Sequence, residues 1–104
     1  MRNFMILLAA SVVASTVQAR ELVTLERPDG TMQCEPKRDE KALLAGAKKE
    51  LRRAGVRIVE IRREKDGRMR AQMCGSPTGF VIRIRIAASD RDKAGALGFT
   101  PPAN

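Results

Sequence analysis

From Phe80 to Ala87 the chain reads FVIRIRIA, and no other segment leaves the fold so little freedom. Phe80, Ile82, Ile84 and Ile86 fall on one phase, and Val81, Arg83, Arg85 and Ala87 on the other. Successive side chains of a strand point to opposite faces, so this pattern describes a strand with one buried and one solvated face. Parallel sheets are covered on both faces, whereas an antiparallel sheet can leave one face in water. The pattern therefore calls for an antiparallel sheet whose apolar face is covered.

Four other segments read as strands. RMRAQMC alternates Met69, Ala71 and Met73 against Arg68, Arg70, Gln72 and Cys74. VRIVEIRR is β-branched, but its alternation slips between Ile58 and Val59, which a β-bulge or burial on both faces would explain. Asp66-Gly67 between these two is a hairpin signal. Near the start, Leu22, Val23 and Leu25 form a strand that RPDG turns back into a short second arm, TMQC.

The cover for the sheet is PKRDEKALLAGAKKELRRAG. Leu44, Ala47, Leu51 and Ala54 recur at helical spacing, with Leu43 beside them. Pro36 suits a first turn, and Gly55 suits a C-terminal stop. Asp39 and Glu40 at the start and Arg52 and Arg53 at the end complement the helix dipole. SDRDKAGALGF suggests a short last helix capped by Ser89 or Asp90, with Leu97 and Phe99 docking it. The expected fold is α+β: an antiparallel sheet in β-β-α-β-β-β-α order, with one main helix packed on one face as a two-layer sandwich. From the main helix onward this order is similar, in topology alone, to that of a double-stranded-RNA-binding domain. Because the basic face carries no aromatic to stack a base, nucleic acid is disfavoured as a partner.

The N-terminus sets the expected compartment. Arg2, the apolar run Phe4–Val13 and the small residues Val17 and Ala19 have the layout of a secretory signal peptide cut after Ala19. The run falls short of the ~20 apolar residues of a membrane span. The domains expected are therefore a leader at 1–19, one small α+β domain at 20–99 and a flexible tail at 100–104. The protein would be periplasmic or secreted, with no transmembrane segment once the leader is removed.

An oxidising compartment makes a disulfide the simplest reading of Cys34 and Cys74, the 2 cysteines of the chain. So small a core gains much from one such bridge. The alternative is a soft-metal (copper) or thiol-redox site built from Met32, Cys34, Met73 and Cys74, whose sulfurs suit Cu(I). Their spacing lacks the C-x-x-C of disulfide catalysts.

Chemistry of other kinds finds little support. With 0 His, the commonest general acid/base is missing, and no nucleophile elbow, phosphate loop or zinc-ligand spacing occurs. Ser76 reads as a loop residue, and Glu60, Glu64 and Asp66 as counter-charges to neighbouring arginines. The sequence thus points to a non-enzymatic binding or inhibitor-like module without a cofactor. The net charge of +8 suggests its partner class. Arg68, Arg70, Arg83 and Arg85 occupy the polar phase of two expected neighbouring strands. Their guanidinium forks would suit an acidic protein or another anionic component of the cell envelope.

Overall fold

The computed structural model describes residues 21–102; the proposed leader lies outside them. The fold is α+β. Strand β1 (Leu22–Pro28) is followed by helix α1 (Glu40–Arg53), strands β2 (Ile58–Lys65) and β3 (Phe80–Ala87), a 3-10 turn (Ala88–Asp90) and helix α2 (Arg91–Gly95). The sheet has 3 strands in the order β1-β3-β2, and both pairings are antiparallel. β1 and β2 therefore run parallel to each other with β3 inserted between them.

The alternation of FVIRIRIA is realised. Ile82, Ile84 and Ile86 are buried together with Leu25 of β1, Ala47 and Leu51 of α1, and Val56, Ala94 and Phe99. Rows across the sheet show how the core is built. Val23, Ile86 and Ile58 form one row, and Leu25, Ile84 and Ile61 the next. The third row is Arg27, Ile82 and Arg63, where the apolar face ends. There the guanidinium of Arg27 lies 4.4 Å from the Phe99 ring centre and that of Arg63 lies 3.8 Å from Phe80. Cationic planes on aromatic faces close the core while keeping charge near water. The slip between Ile58 and Val59 is a β-bulge, and Val59 is left 57% exposed.

Helix α1 ends as its sequence indicates. Gly55 adopts φ +84, its N–H donates to Arg52 O, and the Val56 N–H donates to Leu51 O. This is the Schellman pattern, which needs a left-handed residue. The start comes later than expected, at Glu40 rather than Pro36. Lys37 and Arg38 are exposed, so no packing repays ordering a first turn there. The last helix is present, with Asp90 at its N-cap position, Phe99 2% exposed and Leu97 packed against the core, but neither Ser89 nor Asp90 caps it through a side-chain hydrogen bond.

Two expected strands are absent, so the element order is β-α-β-β-α. RPDG does not reverse the chain. Asp29 N–H donates to Phe80 O, Thr78 N–H to Thr31 O and Gln33 N–H to Ser76 O, which continues the β1–β3 register past Pro28. TMQC is thus an irregular extension of the first strand's path, not a returning arm. RMRAQMC is not a strand either: Met69 is 96% and Met73 58% exposed. β3 already has a neighbour on each side. Cys74 is bonded to Cys34, which draws this segment away from the outer edge of β2. Thr100, grouped by sequence with the tail, exchanges two backbone hydrogen bonds with Glu26.

Candidate functional site

The outer face of the sheet carries Arg62, Arg83 and Arg85, but each meets a carboxylate. Arg83 donates through Nε and Nη2 to Glu26 Oε1 (3.0 and 2.6 Å) and through Nη1 to Glu64. The hydrogen bond to Glu26 leads the effects that raise the Arg83 pKa above its ordinary value, with the Glu64 charge adding and burial opposing. Arg62 pairs with Glu60 at 2.7 Å and with Glu64 at 2.9 Å, and Arg85 reaches Glu60 at 3.5 Å. Three arginines thus stand among Glu26, Glu60 and Glu64. The register places Glu26 opposite Arg83 and Glu60 opposite Arg85, so the pairing follows from strand position.

Arg68 and Arg70 lie elsewhere, in the loop joining β2 to β3, and do not join Arg83 and Arg85 in one row. Asp66 organises the base of that loop. Its carboxylate accepts the Arg68 N–H and the Arg70 guanidinium, in that order of influence, and both hold its pKa below the ordinary value. The far end is held by the disulfide and by Gln33. The Gln33 amide donates to Ala71 O and Pro77 O, and its carbonyl accepts the Met73 N–H. It takes up backbone groups that a neighbouring strand would otherwise have satisfied.

The expected disulfide is formed, with Cα atoms 5.1 Å apart across a sequence separation of 40. Both half-cystines are exposed, and Cys34 has φ 72, a left-handed conformation rare outside glycine and asparagine. In this state the sulfurs are bonded to each other and offer no thiolate to a metal. Met73, expected on the core face, is instead exposed beside Cys74.

Between loop and core lies a polar cluster that the sequence did not reveal. The Asp29 side chain is 1% exposed and accepts hydrogen bonds from Thr31 N–H (2.9 Å), Thr31 Oγ1 (2.6 Å) and Arg63 Nε (2.5 Å). Burial alone would raise the carboxyl; the Thr31 and Arg63 bonds outweigh it and hold the pKa below its ordinary value. Every buried group here has a partner, which marks the cluster as structural.

Uncompensated positive charge collects on α1. Lys41, Lys48 and Arg52 follow one another at helical spacing, with Lys49 and Arg53 beside them and Arg57 just beyond the helix. None of these six forms an ion pair among the described residues. Lys48, Arg52 and Arg57 line a shallow cleft with Val56, Val59 and Ile61, between α1 and the free edge of β2. Glu60 also lines it, but Arg62 and Arg85 already engage that carboxylate. The sequence contained this signal in KK and RR, but helix-end charge explained Arg52 and Arg53 without a site, and Lys48 and Lys49 were not singled out. Among the described residues no helix is long and apolar enough to cross a membrane, and no group of three or more acidic or Cys side chains is placed to hold a metal ion. No protein-family model, curated protein or solved structure matches the chain.

Proposed function

We propose that this disulfide-tied domain is a binding module that engages an acidic partner, through the basic face of α1 and the corner it makes with β2. The observation that carries this reading is the contrast between two sets of cations. Those of the sheet face are neutralised by Glu26, Glu60 and Glu64, whereas Lys48, Arg52 and Arg57 face an open cleft and form no ion pair among the described residues, its one carboxylate, Glu60, being engaged by Arg62 and Arg85. Charge that the fold does not use internally raises the local potential and is available to a partner. Binding rather than catalysis is supported by the buried carboxylates of the described residues: Asp29 is closed by hydrogen bonds from Thr31 and Arg63, and Glu26 by Arg83.

A labelled polyglutamate chain serves as the acidic probe. Lys48→Glu with Arg52→Glu is compared with Arg68→Glu plus Arg85→Glu, an equal change in net charge. The expected result is loss of binding in the helix pair and its retention in the second. Loss only in the second would return the site to the strand and loop arginines. Equal loss would show attraction to net charge alone.

Exposure of both half-cystines favours a second reading, thiol exchange or Cu(I) capture after reduction, with Met73 and Met32 as added sulfur donors. Competition between the reduced protein and a Cu(I) chelator tests it. Tight equimolar binding lost in Cys34→Ala would support it, and no uptake by reduced protein would reject it.

A further inference from the structure

β2 is an edge strand, and its ladder shows which backbone groups are free. Asp66 N–H donates to Gly79 O, on the register that pairs Glu64 with Val81 and Arg62 with Arg83. In an antiparallel ladder alternate residues direct their N–H and C=O groups to the same side. Glu60, Arg62 and Glu64 therefore address β3, and Ile61, Arg63 and Lys65 direct theirs outward. Thr100 occupies the outer edge of β1, whereas no described residue forms a bridge with the outer edge of β2. The same edge borders the cleft that Lys48, Arg52 and Arg57 line.

We infer that the free edge of β2 takes an extended acidic polypeptide segment as a fourth strand, with carboxylates on alternate residues meeting Lys48 and Arg52. This deepens the acidic-partner reading and rests on it. The spacings agree: residues four apart rise about 6 Å along a helix, and residues two apart rise about 6.7 Å along a strand. Main-chain hydrogen bonds supply affinity in such strand addition, and the alternate side chains supply selectivity. A second copy is a poorer occupant. It would bring Arg57, Arg63 and Lys65 close to the same charges, and the bulge at Val59 interrupts a flat pairing edge.

The test uses the full protein and a labelled ten-residue peptide alternating Glu and Thr, N-methylated on its glutamates or, separately, on its threonines. Methylation of one phase should weaken binding by about tenfold or more, as the loss of backbone hydrogen bonds requires. The other phase should bind nearly as well as the unmodified peptide. Hydrogen exchange should show the Ile61 and Arg63 amides protected by the peptide. Equal binding of all three peptides, reversed by Lys48→Glu with Arg52→Glu, would overturn strand addition and leave the acidic-partner reading standing. No binding of any peptide or of polyglutamate at low salt would overturn both. Concentration-dependent protection of these amides in the free protein would place a second copy at the edge and likewise overturn the inference.

Discussion

Gln33 stands opposite Ser76 on the register that begins with Leu22 opposite Ala87, and the disulfide comes one step out of phase beyond it. The bridge is therefore a clip at the end of the β1–β3 ladder. It holds a region that adds little to the core, because none of residues 67–78 belongs to the apolar cluster.

Reduction, or Cys34→Ser with Cys74→Ser, should lower stability by about 3–4 kcal/mol in the chain-entropy estimate for a loop of this size. Urea titration with and without reductant measures it. Amide exchange should rise more in residues 66–79 than at Ile84, since the clip acts on the loop first.

Two glycines should respond in opposite directions. Gly79 has φ +92, and a Cβ there would lie 2.7 Å from Arg70 Nε. Gly79→Ala should cost about 1–2 kcal/mol through backbone strain and displacement of Arg70. Gly46 lies inside α1 with nothing within 4 Å of a new Cβ. Gly46→Ala should stabilise by about 0.5–1 kcal/mol. Thermal melts of the two variants give both signs.

Asp29 and Asp66 should both contribute to acid unfolding. Each carboxyl is held below its ordinary value of 3.8, so its contribution is complete above that pH and is lost as pH falls through the lower folded value. Near neutrality Asp29→Asn should cost about 2–3 kcal/mol, because Arg63 and Thr31 lose a buried anionic acceptor. The gap between parent and variant should close as pH drops below 3.8. Denaturant titrations at several pH values test the sign.

The sheet arginines should be unequal. Arg83→Ala leaves Glu26, itself only 8% exposed, without its cation and should cost about 2 kcal/mol. Arg85→Ala breaks one exposed 3.5 Å pair and should change stability by less than about 0.5 kcal/mol. Denaturation midpoints would separate them.

What could be read from sequence was what depends on local period. The alternation of Phe80–Ala87, the apolar stripe of α1, the stop at Gly55 and the bulge at Val59 each leave a mark within a few residues. The false strand 68–74 carries an equally clean period, and what stands against it is not local: β3 has both edges occupied, and Cys74 is bonded to Cys34. RPDG misled because Asp29 folds its carboxylate onto Thr31 and forms a local kink that looks like reversal in sequence but keeps the chain's course. The sulfur pairing was legible because two cysteines allow one intramolecular bridge. The neutralised face was not, since the match of Glu26 to Arg83 exists only once β1 is set beside β3. The free cations of α1 were visible as residues, while the cleft they border required the crossover from β1 to β2.

That crossover has a temporal meaning. The central strand is the last to be synthesised, so as the chain emerges from its N-terminus β1 and β2 both wait for a shared neighbour. Neither can be completed until Ala87 has cleared the ribosome or any pore that conveys the chain. Until then the long-range pairings that define the sheet do not exist, and α1 has nothing to cover. Any truncation before β3 should therefore yield not a smaller version of the domain but an unfolded chain.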